Sequence, residues 1–235
     1  MQTGCAATTE ATDPYCLRAG EAAALLAGHP WRRFAVLGDS VVEGLYEATE
    51  GYLELAWTDR VAVELTCHQP ELAYLNLGVS NLRAAQVRRT QLAPALEFQP
   101  DLALVACGGK DALHPAYDPD AVDRELIAII SALREQGSAV MTMGSLECGP
   151  LPGLPEAIRV GGVDRLRLLG RRVAALSVAL DTIHVDLTSH PAAGPDLLSR
   201  DGLHGNGRSH AIAAAEAVRR LGAHLGNSFD PRSPA

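Results

Sequence analysis

Five short, predominantly apolar runs constrain this chain more than anything else in it: Phe34 to Leu37, Leu72 to Leu77, Leu102 to Cys107, Ala139 to Met143 and Ile183 to Leu187. A strand with one wet face alternates apolar and polar residues. A strand that is apolar almost throughout is buried on both faces, as in a parallel sheet covered by helices. Between the runs lie segments of helical character. A short helix is expected from Cys16 to Gly28, and another from Asp59 to Cys67 with Thr58 as its N-cap. A third is expected from Asn81 to Phe98, bent by Pro94, with Leu82, Ala85, Val87, Leu92 and Leu96 inward and Arg83, Arg88 and Arg89 in water. Asp118-Pro119 opens the next, whose apolar positions Val122, Leu126, Ile129, Ile130 and Leu133 keep helical spacing up to Gly137. Leu166 to Leu180 and Ser209 to Leu225 complete the set. Strand and helix in strict alternation predict a three-layer, doubly wound α/β domain with a parallel five-stranded sheet.

The chain has 235 residues, 47% of them apolar, enough for one large domain with its own core. The expected organisation is an N-terminal extension over 1–30, the domain over 31–228 and a loose tail over 229–235. Net charge is −8, which argues against a nucleic-acid partner. No apolar run approaches the ~18 residues of a membrane span. The N-terminus has neither a basic head nor an apolar core of the signal-peptide kind, so the expected location is cytoplasmic and no membrane partner is expected. Cys5, Cys16, Cys67, Cys107 and Cys148 are odd in number and none are spaced C-x-x-C, so they read as buried free thiols rather than zinc or disulfide frameworks.

The chemistry collects where the strands end. In a parallel α/β sheet the carboxyl ends of the strands line one edge, and ligands bind there. Gly38-Asp39-Ser40 follows the first strand, Asn76-Leu77-Gly78 closes the second, Gly108-Gly109-Lys110-Asp111 follows the third, and Asp201-Gly202-Leu203-His204 precedes the last helix. Ser40 is a candidate nucleophile, His204 the base that removes its proton, and Asp201, one short turn earlier, the acid that orients the imidazole. The backbone N–H groups of Ser40 and Gly78 are candidate oxyanion donors. Asp39 reads as a support of the loop, and His184, His190 and His210 as structural. Asp118, Asp120 and Asp123 read as a cap and a solvated helix face rather than a metal site. Arg165, Arg167, Arg171 and Arg172 read as a solvated basic face. The irregular segments 41–56 and 144–161 are the candidates to shape a pocket.

Gly38-Asp39-Ser40, Gly78, Gly108 to Asp111 and Asp201-x-x-His204 together resemble the four signature blocks of the SGNH (GDSL-type) hydrolases, in order and spacing, over residues 33–225. The stretch Asp201 to His210 is similar to that of actinobacterial members. The resemblance implies a flavodoxin-like fold and a serine-dependent esterase or acylhydrolase working through an acyl-enzyme. It implies a small ester or acyl substrate, no cofactor and no metal. It also implies an oxyanion hole from Ser40, Gly78 and the residue at position 110, with Gly109 beside it and Asp39 and Asp111 in support.

The departure from the family pattern is Lys110, the only lysine in the chain, where the family carries asparagine. Three roles stand open for it. It replaces the asparagine as donor; or it folds onto Asp111 or another acid, and hydrolysis is weakened or replaced; or it meets an anionic group of a substrate or an acyl carrier protein. An acyltransferase, a non-hydrolytic enzyme or a binding module on the same fold is the alternative that follows.

Overall fold

The computed structural model describes residues 8–230 except 145, 147 and 148. Five parallel strands, β1 (Arg33–Gly38), β2 (Ala73–Asn76), β3 (Leu102–Ala106), β4 (Ala139–Met143) and β5 (Ile183–Val185), form one sheet in the order β2-β1-β3-β4-β5. The helices are α1 (Glu21–Leu25), α2 (Ser40–Glu43), α3 (Trp57–His68), α4 (Ala84–Phe98), α5 (Gly109–Ala112), α6 (Pro119–Glu135), α7 (Glu156–Arg159), α8 (Gly162–Ala179) and α9 (Gly207–His224). Helices α1, α3 and α9 cover one face, where Trp57, Val61, Leu65, Ala214, Val218 and Leu221 pack on Phe34, Val36 and Leu104. Helices α4, α6 and α8 cover the other, where Val87, Leu126, Ile130 and Val173 meet Ala35, Leu37, Ala103 and Val105. Alternate residues of β1 and β3 thus feed opposite cores, and this two-sided burial makes the strands apolar throughout.

Most helix boundaries follow local chemistry. Asp118 accepts from the Ala121 N–H (3.1 Å) and Pro119 starts α6, while Asn206 accepts from the Ser209 N–H (3.2 Å) at the head of α9. Helix α3 departs from expectation. Thr58 is not its N-cap; it is fully buried one residue inside a helix that begins at Trp57. The cap comes from far along the chain, because the Trp57 N–H donates to His210 Nδ1 (3.1 Å) on α9. Helix α4 begins at Ala84, so Ala84 rather than Ala85 is buried, and the polar Gln91 lies inside with them.

Segment 1–30 packs on the domain where it is described. Cys16, Leu25 and Leu26 are buried in the cores, and Asp13 bonds Tyr52 (2.8 Å) and Arg208 (2.7 Å), stitching it to segment 41–56 and to α9. Of the cysteines, Cys16 and Cys107 are buried free thiols as expected, whereas Cys67 is exposed. Cys5, Cys148 and the tail beyond 230 lie outside the described residues.

Gln91 prepares the edge where the candidate site lies. The last β1–β2 pair is Val36 with Asn76, so Gly38, two residues on, has outrun its neighbour strand. The Gln91 carboxamide takes that rung: the Gly38 N–H donates to its Oε1 (2.8 Å) and its Nε2 donates to the Gly38 carbonyl (2.9 Å). The Gly38 N–H is satisfied in this way, and its carbonyl, which also accepts from the Val79 N–H (3.3 Å), gains a second donor. Gly38 admits no side chain, since a Cβ would stand 2.1 Å from the Ala106 carbonyl oxygen and 2.4 Å from Val42.

Candidate active site

Ser40 is the first residue of α2, directly beyond β1. Its hydroxyl lies 3.0 Å from His204 Nε2, joined across 164 residues of sequence. His204 Nδ1 lies 2.6 Å from Asp201 Oδ2, while Asp201 Oδ1 accepts from the N–H groups of Leu203 (2.9 Å) and His204 (3.0 Å). One carboxylate therefore builds the turn and holds the ring at once. With Asp201 on Nδ1, the ring proton sits there and Nε2 is left to accept from the Ser40 hydroxyl. Burial alone would raise the Asp201 carboxyl, but the bonds from the His204 ring and the two N–H groups outweigh it and hold it below its ordinary value. The turn is fastened from both sides. The Ser199 N–H donates to the His204 carbonyl (2.8 Å), and the Gly207 N–H donates to the Glu47 carbonyl (2.8 Å).

Asp39 lies beneath this row, 5% exposed, accepting from the Val41 N–H (3.2 Å). Burial, with the nearby Asp111 charge adding to it, pushes its carboxyl up to about 6 from 3.8. A carboxyl raised by folding stabilises the fold most below its unfolded value and loses that contribution as pH rises through the folded one. The wild type therefore loses about 2 kcal/mol between pH 4 and pH 8 on this account, at 1.36 kcal/mol per unit. An asparagine in its place can still accept from the Val41 N–H but carries no charge. Asp39→Asn is expected to be more stable than wild type at pH 8 and to lose that advantage at pH 4. Urea denaturation at the two pH values measures this, and an advantage independent of pH contradicts it.

Gly78 does not sit where the sequence reading put it. Its N–H donates to the Asn76 side-chain oxygen (2.8 Å) and it is not among the residues lining the cavity at Ser40. A glycine stands there for packing, since a Cβ would come within 2.3 Å of the Glu43 N on α2. Three residues on, Asn81 lines the cavity in its place, with a left-handed backbone (φ 65°). Asparagine tolerates this conformation better than most residues, yet nothing in the sequence says that residue 81 adopts it. Lys110 is exposed on α5 and lines the same cavity, with its Nζ donating to Asn81 Oδ1 (3.0 Å). Asp111 accepts from the Ala84 N–H (2.9 Å) and ties α5 to the start of α4, while the contact made by Lys110 Nζ is with the neutral Asn81. Gly109 also lines the cavity, and a Cβ on it would lie 3.8 Å from Asp39 Oδ2.

The remaining candidates fall into supporting places. His210 is buried, and burial, then the Arg60 charge, lowers it to about 4; its Nδ1 takes the Trp57 bond and its ring packs 4.6 Å from Tyr46. His184 pairs with Thr142 (3.0 Å), and His190 Nδ1 accepts from the Ala192 N–H (3.2 Å). Arg165 and Arg172 are not a solvated face. Arg165 donates to the carbonyls of Ala112 (2.7 Å) and Ile158 (3.0 Å), and Arg172 pairs with Asp123 (2.9 Å) and Asp120. Among the described residues no His, Cys, Asp and Glu cluster suits a metal ion, and no helix is long and apolar enough to cross a membrane.

A cavity of about 470 Å³ opens beside Ser40 and His204. Segments 41–56 and 144–161 both contribute to it, through Val41 and Leu45 and through Leu146, Leu151, Leu154 and Ile158. Its other walls come from α8, α5 and α9 and from the ends of β3, β4 and β5, among other places.

Residues 36–212 match the family described as GDSL-like Lipase/Acylhydrolase. No curated protein sequence matches the chain significantly. Among solved structures, Axe2, an acetylxylan esterase from Geobacillus stearothermophilus, superposes with a TM-score of 0.64 at 16% identity, over 81% of this chain and 94% of that one. A variant of that protein, an acetyl-xylooligosaccharide esterase, gives 0.65 at 17% over 86% and 97%. LAE5, an alpha/beta hydrolase enzyme from the metagenome of Lake Arreo, Spain, gives 0.63 at 16% over 81% and 95%. At these identities the likeness is one of fold.

Proposed function

The chain belongs to the GDSL-like lipase/acylhydrolase family, and from that premise we propose that it is a serine esterase or acylhydrolase acting through Ser40, His204 and Asp201. The observation that carries the reading is the unbroken hydrogen-bonded row from Asp201 through His204 to Ser40, at 2.6 and 3.0 Å. Ser40 Oγ attacks the acyl carbon while its proton passes to His204 Nε2. Asp201 keeps Nδ1–H in place and stabilises the imidazolium that forms. The tetrahedral adduct collapses as His204 returns the proton to the leaving alcohol, and the acyl group stays on Ser40. A water, deprotonated by the same nitrogen, then attacks the acyl-enzyme and releases the acid.

The adduct's oxygen needs donors. The Ser40 N–H is the first. Since the Gly78 N–H is taken by Asn76, the second in this proposal is the Asn81 N–H, on the loop that reaches the cavity. Lys110 is the third. One of its three protons goes to Asn81 Oδ1, which steadies the long side chain and leaves the others for the adduct. The same contact favours a second reading, in which Asn81 and Lys110 mark altered chemistry such as acyl transfer. The direct test of the first reading is labelling with a fluorophosphonate followed by peptide mass spectrometry. A single adduct on Ser40 is expected, absent after His204→Ala; a protein that stays unlabelled refutes the mechanism.

A further inference from the structure

We infer that the cavity beside Ser40 is an acyl pocket for an aliphatic group well longer than acetyl. The identity of the reacting end rests on the serine-hydrolase reading above; the chemistry of the pocket does not. The cavity measures about 470 Å³, within the range that encloses ligands of drug size. Its lining includes Ser40, Asn81, Lys110 and His204, with Ser80, Arg83 and His114, while Leu154, Ile158, Leu166, Leu169, Val173 and Leu187 supply an apolar wall. A two-carbon acyl group fills a small part of this space. The rest of the wall would then keep its contact with water and forgo dispersion partners. A sugar ring fits the apolar part of the walls no better, because hydroxyls set against Leu154, Ile158, Leu166, Leu169, Val173 and Leu187 would be buried without hydrogen bonds. An aliphatic chain suits both the size and the chemistry.

The outer wall is held in place. Arg165 of α8 donates to the Ile158 carbonyl (3.0 Å) behind α7 and to the Ala112 carbonyl (2.7 Å) behind α5. One guanidinium thus fastens the covering segment and the segment carrying Lys110 to the same helix. Leu154 and Ile158, half-buried, present their side chains to the cavity from that segment.

The test separates the pocket from the catalysis. Straight-chain carboxylates from acetate to decanoate are titrated by calorimetry into the full-length Ser40→Ala protein, so that a constant head group leaves chain length as the variable. Affinity is expected to rise about fourfold per added methylene until the cavity is full, the ratio that about 0.8 kcal/mol per buried CH₂ implies. Adding Leu154→Asp or Ile158→Asp is expected to flatten the rise without loss of a cooperative melt. A Kd that does not change from acetate to octanoate overturns the inference, and so does a rise that neither aspartate alters. The wild type is assayed in parallel on the matching p-nitrophenyl esters. Chain-dependent binding with no ester hydrolysed leaves the pocket standing and removes the catalytic reading. Hydrolysis with flat binding does the reverse.

Discussion

Ser40→Ala is expected to lower kcat on a p-nitrophenyl ester by about 10⁴- to 10⁶-fold, the loss usual when the nucleophile of a hydrogen-bonded triad is removed. The oxygen deleted is the one the His204 ring holds at 3.0 Å. Ser40 is only half-buried, so thermal melting should stay close to wild type. Steady-state kinetics on the purified variant, with the melt as control, give the answer. His204→Ala should lose about as much, and combining the two should cost little more, because the groups act as one unit. A Ser40→Ala protein that keeps a rate near wild type would falsify the mechanism.

Lys110→Ala is expected to lower kcat by about 10²- to 10³-fold, as losing one oxyanion donor does, with KM changing much less. The split follows from when the interaction is made. The carbonyl oxygen of the bound ester is nearly neutral, and the charge that an ammonium stabilises appears only in the adduct. Alanine also frees Asn81 Oδ1, the partner of Lys110 Nζ at 3.0 Å. Both groups are exposed there, so water takes over the bond and stability should move little. Lys110→Asn restores a donor of the type found in the family and should recover part of the loss. If Lys110→Asn instead exceeds the wild type, Lys110 is no working donor, and the altered-chemistry reading gains. If Lys110→Ala raises KM with kcat unchanged, the lysine binds an anionic part of the substrate rather than the adduct.

The layered fold and the three residues of the proposed triad were legible before any coordinates, and for local reasons. Two-sided burial makes the central strands apolar along their own length, so Phe34 to Leu37 and Leu102 to Cys107 declare themselves. Asp118 caps its helix within three residues, whereas the last helix begins at Gly207 behind an Asn206 cap rather than at Ser209, and Asp201 and His204 are one turn apart, so their contact is written in the spacing. Parallel strands supply the remaining step, because they deliver Ser40 and His204 to one edge whatever the length of chain between them.

What the tertiary structure alone decided is of another kind. The cap of α3 comes from His210 on α9, and the last rung of β1 comes from Gln91 on α4. Both are pairings between elements brought together by packing, with no periodicity to announce them. Gly78 looked like a donor because glycine lets a ligand approach, but the same absence of a side chain serves equally to let Val42 and Glu43 approach. Only the direction of its N–H, toward Asn76, separates the two. Asn81 and Lys110 are 29 residues apart in sequence and meet as side chains. The cavity is likewise a collective product of α5, α8, α9, three strand ends and two irregular segments. Sequence carries what a residue does with its neighbours a turn or a strand away; which way a backbone N–H points, and what volume several leucines enclose, are settled when the elements pack.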